Sequence, residues 1–318
     1  MSRRPVVVVG AGVSGLSCAV LLAEAGHPVR VVTRDPPLAT TSAVAAALWY
    51  PYLAEPRGRV LAWAAATAAE LAALAAAGAP GVRLRQMLEV SLAPLPEPWW
   101  ASALPGGVRR ATAEELPPAC ADGYFALAPV ASMPHYLPWL AERLAAAGGR
   151  LELVPDGVRS LAELGREGAV VVHCSGLGAR ELAADSSLLP VRGQVVRVAA
   201  PGVARVTVCE SPDITYVVPR EDDCILGGTV EPAVLDRQPD PHVAEEILAR
   251  ARRLEPRLED ARLLESRVGF RPGRPAVRLE REEIDGVPVV HDYGHGGAGV
   301  TLSWGCAREV VGLVAETE

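Results

Sequence analysis

Three glycines in the run Gly10-Ala11-Gly12-Val13-Ser14-Gly15 follow four consecutive valines, Val6 to Val9. Glycines so placed allow a tight turn, close approach of a pyrophosphate to the backbone, and close packing of the next helix on the strand. Free backbone N–H groups at the helix start then attract phosphate. Arg34-Asp35 follow at about twenty residues, where a carboxylate grips a ribose hydroxyl; Arg34 leaves open a 2′-phosphate and therefore NADP. A second cluster, His291-Asp292-Tyr293-Gly294-His295-Gly296-Gly297-Ala298-Gly299-Val300-Thr301, carries four glycines in six positions. A plain turn needs one or two; this density describes backbone amides held against something flat or anionic.

The elements that must position these residues follow from periodicity. Residues 6–9 read as a strand buried on both faces, and Leu16, Ala19, Val20, Leu22 and Ala23 recur at helical spacing up to Gly26, with a second strand from Val29. The alanine-rich stretch 59–77 reads as a packing helix, and the Pro-rich stretch 78–130 as strands and loops of a second region. Residues 136–147 read as a helix, and 150–154 and 169–174 as strands that resume the nucleotide fold. Residues 191–198 and 215–228 alternate as antiparallel strands do; 241–254 is a helix, 287–291 a strand and 299–313 a C-terminal helix.

With 318 residues the chain can bury a large core. Its hydrophobic fraction is 50%, yet Gly, Pro and Arg interrupt the apolar runs before the roughly 18 residues of a membrane helix. The N-terminus enters a first strand rather than a signal peptide. Six scattered cysteines, without Cys-x-x-Cys or a His pair at metal spacing, lead us to expect free thiols in a reducing compartment and no metal. A net charge of −7 without a basic stripe argues against nucleic acid. The chain contains no Lys, which excludes a pyridoxal-phosphate Schiff base and a P-loop, and no Asn.

Over nearly its full length the sequence resembles the D-amino-acid oxidase family. The resemblance is carried by residues 8–16; by Thr40-Thr41-Ser42 with Ala46-Ala47-Leu48-Trp49-Tyr50-Pro51-Tyr52; by Cys174-Ser175-Gly176, Arg192-Gly193-Gln194, Tyr216-Val217-Val218-Pro219-Arg220, Leu226-Gly227-Gly228-Thr229 and Val268-Gly269-Phe270-Arg271-Pro272; and by the glycine-rich cluster. It implies an α/β fold with a Rossmann-type FAD-binding core and an interleaved, mostly antiparallel β substrate-binding region. The expected divisions are 1–50, 136–190 and 280–318 for the first, and 51–135 and 191–279 for the second. It also implies that Arg271 and Tyr216 hold the substrate carboxylate and that the Gly297 carbonyl faces the amine. FAD contacts are implied for Gly10, Gly12, Val13, Ser14, Gly15, Arg34, Asp35, Thr40, Thr41, Ser42, Ala47, Leu48, Val158, Ser175, Gly176, Gly296, Gly299, Val300 and Thr301.

The activity so implied is oxidative deamination of D-amino acids by hydride transfer to FAD, with dioxygen as acceptor, giving 2-oxo acid, ammonia and hydrogen peroxide. No side chain need act as base on the α-carbon, and the sequence shows no obvious acid–base pair. Apolar Val230 stands where acidic-substrate relatives carry arginine, so neutral substrates are expected. A glycine or sarcosine oxidase, a D-aspartate oxidase, a nicotinamide-dependent dehydrogenase and a non-enzymatic nucleotide-binding protein stay open as alternatives. The C-terminus lacks a Ser-Lys-Leu type address, so a cytoplasmic protein is expected, with no membrane or nucleic-acid partner and a homodimer admitted.

Overall fold

Four adjacent valines can all be buried only if both faces of their strand are covered. In β1 (Val6–Val9), Val6 and Val8 pack into one layer and Val7 and Val9 into another. The computed structural model describes residues 3–166, 168–199 and 202–317. It places β1 inside a six-stranded sheet with β2 (Val29–Thr33), β6 (Arg150–Leu153), β7 (Val170–His173), β14 (Arg278–Ile284) and β15 (Val287–Tyr293), in the order β14-β15-β7-β1-β2-β6. All pairs are parallel except β14–β15. The layer on Val6 and Val8 is built by α1 (Val13–Glu24), α3 (Arg57–Ala76), α4 (Met133–Ala146) and α8 (Gly299–Ala315), and the opposite layer by α5 (Leu161–Gly165). Short helices α2 (Thr41–Val44) and α6 (Ala179–Leu182) lie in the connections.

The second sheet has nine strands: β3 (Val82–Ser91), β4 (Val108–Arg110), β5 (Asp122–Ala131), β8 (Leu189–Ala199), β9 (Val206–Cys209), β10 (Thr215–Pro219), β11 (Cys224–Gly227), β12 (Glu231–Pro232) and β13 (Arg262–Gly273). Their order is β12-β8-β11-β10-β9-β3-β5-β4, with β13 paired along β8. Alternation sets what each face does: Val196, Val198, Val217 and Leu226 pack under α7 (Pro241–Leu254), which Asp240 caps at its N-terminus, while Val195, Tyr216 and Val218 face the first sheet.

Two features depart from the sequence reading. First, α3 is 20 residues long and apolar enough to cross a membrane by length and composition, so the chain does contain such a stretch. The helix instead packs on α8, where a Cβ on Gly305 would lie 2.2 Å from the Trp63 carbonyl, and Trp63 Nε1 donates to Glu309 at 2.7 Å. Second, β13 and β14 went unread, because half-exposed strands rich in Arg and Glu lack a clean alternation. One apolar core runs from α1 and α8 through α3 to β3, β5 and β9, across the boundaries drawn from sequence.

Candidate active site

A cavity of about 650 Å³ lies between the carboxyl ends of β1, β2, β7 and β15 and the inner face of the second sheet. This is where ligands settle in open α/β sheets. At its nucleotide end Gly10 has φ +107°, and a Cβ there would lie 2.5 Å from the Cys174 carbonyl oxygen. The Val13 N–H donates to Ser42 Oγ at 3.0 Å. The first turn of α1 holds no acidic residue and its N-cap, Gly12, has no side chain, so apart from the Val13 N–H its amide donors stay available to an anion. Arg34 donates twice to Asp35 Oδ2, at 3.1 and 2.9 Å, so its charge is already matched by a carboxylate, which weakens the case for a 2′-phosphate.

At the other end, Gly294 and Gly296 have φ of +80° and +54°. A Cβ on Gly296 would lie 1.9 Å from the Leu53 carbonyl oxygen, so only glycine lets this turn close over the segment 50–53. Gly299 and Val300 open α8 onto the cavity, again with no acidic residue in the first turn.

Arg271 and Tyr216 reach the cavity over glycines. Arg271 on β13 pairs with Val191, and its guanidinium lies across Gly193, where a Cβ would be 2.3 Å from Nη1. Tyr216 on β10 faces Gly227 on β11, where a Cβ would be 2.0 Å from the ring. Arg271 Nη1 donates to the Thr229 carbonyl at 3.0 Å, and among the described residues no carboxylate pairs with it. Burial raises the Tyr216 phenol pKa, opposed by the charge of Arg271. The Tyr52 phenol is raised by burial and by Glu210, and lowered by Arg271. Together these form a cationic seat with donors left over, suited to a planar carboxylate.

At the cavity wall, Asp292 is almost fully buried. Its Oδ1 lies 2.9 Å from His295 Nε2, and Oδ2 accepts from Cys18 and Cys174 at 3.5 and 3.8 Å. The donor atoms of Cys18, Cys174 and Asp292, and of Asp292, His295 and Cys306, lie within 4.8 Å of one another; the linear spacing gave no hint of this grouping. Ser175 Oγ lies 2.6 Å from His173 Nε2, and His173 in turn meets His291, which meets Glu282. Burial, then His291 and Arg278, lowers the His173 pKa to about 3, so the ring is neutral.

The fold brings nearly all the expected residues to one cavity. Tyr216, Arg271, Gly297, Gly10, Gly12, Val13, Ser14, Arg34, Asp35, Thr40, Thr41, Ser42, Ala47, Leu48, Val158, Ser175, Gly176, Gly296, Gly299 and Val300 line it. Gly15 and Thr301 stand behind the wall. A Cβ on Gly15 would lie 2.0 Å from the Gly10 carbonyl oxygen, so this residue serves the packing of α1 on the turn. The Thr301 hydroxyl accepts from the Tyr50 N–H and donates to its carbonyl, both at 3.0 Å. Val230 does not line the cavity: it lies in the break between β11 and β12, which follow one another along one edge of β8 while β13 takes the other edge, so a substrate preference is not read from it. Sequence reasoning missed Asp156, Arg237 and the apolar wall of Val195, Val208 and Ile214, and gave no role to Tyr52 and Val218. It also quoted Tyr50 without giving it a role.

The residues present fit FAD. The donor set combines two helix starts without an acidic residue, several hydroxyls and one ribose-type carboxylate, and a Cβ on Gly176 would meet no protein atom within 4 Å. Comparison with known proteins agrees. The chain is 56% identical over 311 residues to a D-amino-acid oxidase of Rubrobacter xylanophilus, covering 96% of this chain and 94% of that one. It is 46% identical over 317 residues to a D-amino-acid oxidase of Streptomyces coelicolor, covering 98% and 96%. A crystal structure of glycine oxidase from Bacillus cereus shares the fold, with TM-score 0.79 at 20% identity over 99% of this chain and 96% of that one. Residues 5–313 match the model of the DAO family, described as FAD dependent oxidoreductase, and the chain belongs to that family.

Proposed function

We propose that this enzyme oxidises non-acidic D-amino acids with dioxygen, giving the 2-oxo acid, ammonia and hydrogen peroxide. The observation that carries the reading is the pair Arg271 and Tyr216, a cation without a carboxylate partner among the described residues and a phenol beside it, in the wall of the cofactor cavity. FAD, when bound, supplies the two-electron acceptor and returns the electrons to dioxygen. The chain supplies orientation. Arg271 and Tyr216 hold the carboxylate, Gly297 lets the backbone approach the amine side, and the glycine-rich turn and Tyr52 exclude water from the α-carbon. The start of α8 opens onto the cavity and would offer its amide donors to negative charge on a bound flavin. No side chain needs to remove the α-hydrogen as a proton.

Val195, Val208, Ile214 and Val218 give the cavity an apolar wall, which supports side chains with an apolar stem and no carboxylate on firmer ground than Val230 does. Anaerobic mixing of the yellow protein with D-alanine, D-valine, D-aspartate, glycine and L-alanine tests the reading. Bleaching by the neutral D-forms alone supports it; bleaching by none, or preferential bleaching by D-aspartate, overturns it. A cytoplasmic location is supported by six free cysteines. The absence of a nucleic-acid partner is supported by the net charge of −7, and the absence of a membrane partner by the packing of α3. A homodimer completes the proposal and is checked by sedimentation.

A further inference from the structure

Beside the cavity stand two carboxyl groups that no part of the proposed chemistry uses, Glu210 in an adjoining cavity and Glu89 behind the wall residue Tyr50. Tyr216 on β10 lies directly opposite Val208 on β9, and Val208 directly opposite Glu89 on β3. Residues opposed in register point to one face of a sheet. Tyr216 and Val208 face the cavity, so Glu89 points to the same side, two strand spacings or roughly 10 Å from Tyr216.

Glu89 is 9% exposed; its Oε1 accepts from the Tyr50 hydroxyl at 2.8 Å, while its Oε2 is buried without a hydrogen-bond partner. Tyr50 itself lines the cavity. The arginine nearest along the same row, Arg110, is engaged by Asp122 and Tyr124, and among the described residues neither Glu89 nor Glu210 has an ion-pair partner. Glu210, one residue past β9, lines an adjoining cavity of about 480 Å³ together with Tyr52 and Arg271. Its charge acts on Tyr50, Tyr52 and Glu89.

The site thus runs from a cation at Arg271 past an apolar stretch at Val208, Ile214 and Val218 to Tyr50, with the Glu89 carboxyl behind Tyr50 and Glu210 in the adjoining cavity. We propose that Glu89 and Glu210 form a subsite, closed by Tyr50, for the cationic end of a long substrate side chain, so that D-lysine and D-arginine are preferred substrates. This rests on the proposed oxidation of D-amino acids. The carboxylate of such a substrate sits at Arg271 and Tyr216, its alkyl stem lies along the apolar stretch, and its ammonium or guanidinium meets the carboxyl pair. An acidic side chain meets like charge at the same place and is rejected.

The test compares kcat/KM for D-lysine and D-arginine with D-norleucine, which has the D-lysine stem without the cation, and with D-glutamate, at pH 8. The wild type, Glu210→Gln, Glu89→Gln and the double variant are measured as holoenzymes. We expect the wild type to favour D-lysine over D-norleucine and to leave D-glutamate last. The D-lysine to D-norleucine ratio should fall at least ten-fold in the double variant. Exposed Glu210 gives a variant that folds even if Glu89→Gln does not, and it should lower the ratio by itself. If D-norleucine matches or exceeds D-lysine in the wild type, or if the ratio is the same in Glu210→Gln, the subsite is overturned while the proposed function stands. If no D-amino acid is oxidised, both fall.

Discussion

Replacing Glu89 by glutamine removes one ionisable group from a site that water barely reaches, and leaves an oxygen to accept from the Tyr50 hydroxyl. Burial, with Glu210 adding to it and the Tyr50 hydrogen bond opposing it, raises the Glu89 carboxyl from 4.5 to about 7. Ionising it in the folded chain therefore costs about 3 kcal/mol more than in the unfolded chain. The folded state binds more protons between pH 4.5 and 7, so this carboxyl makes the protein less stable as pH rises through that window, with the whole penalty present above it. In the Glu89→Gln variant that loss disappears. Urea denaturation followed by tryptophan fluorescence, with FAD in excess, should show wild type and variant alike near pH 4.5, and the variant more stable by about 3 kcal/mol at pH 8. Other titrating groups affect both proteins and cancel in the difference. A variant equally stable or less stable than wild type at both pH values would refute the burial of an unpaired carboxyl at this position.

Arg271→Ala should raise KM for a neutral D-amino acid by some 30-fold to several thousand-fold, from about 2–5 kcal/mol for losing one partner of a desolvated charge pair, while FAD absorbance is retained. Steady-state kinetics on the yellow variant check this. Gly193→Ala places a methyl 2.3 Å from Arg271 Nη1, so the guanidinium must move; KM should rise at least ten-fold with FAD content unchanged. Gly15→Ala places one 2.0 Å from a backbone oxygen, which no rotamer relieves, so the purified variant should be poorly folded or free of FAD. Ala233 is exposed with φ +61°, and Ala233→Gly should stabilise the protein by about 1 kcal/mol, read as a shift of the urea midpoint.

The nucleotide half was legible because its signals are local. Glycines, strand and helix lie within twenty residues of one another, and two-sided burial leaves an unbroken valine run. Arg271 was legible only through the motif around it, since β13 is half-exposed along most of its length and reads as neither helix nor strand. Val230 misled because its place was carried over from relatives that have arginine there, whereas in this chain it does not line the cavity. Glu89 gave no signal, because a strand glutamate usually faces solvent; only pairing with Val208 and contact with Tyr50, 39 positions away, turn it inward. The grouping around Asp292 was hidden for the same reason, being assembled from α1, β7, β15 and α8.

That grouping bears on how long the enzyme survives its own chemistry. Each turnover in the presence of oxygen would release peroxide, and peroxide attacks thiolates rather than thiols. Cys18 is raised well above its usual pKa by its hydrogen bond with Cys174 and by burial, and Cys306 by burial and then Asp292. At Cys174 the hydrogen bond with Cys18 acts downward, and burial and Asp292 outweigh it, so that thiol is raised too. Cys18 and Cys306 are shut away from solvent, as are Met87 and Met133, and Cys174 is buried at the edge of the cavity. The sulfur atoms nearest the source of oxidant are therefore held in the protonated, unreactive form. Damage should begin instead at Cys120, the one partly exposed thiol among the described residues, on the far edge of the second sheet from the cofactor.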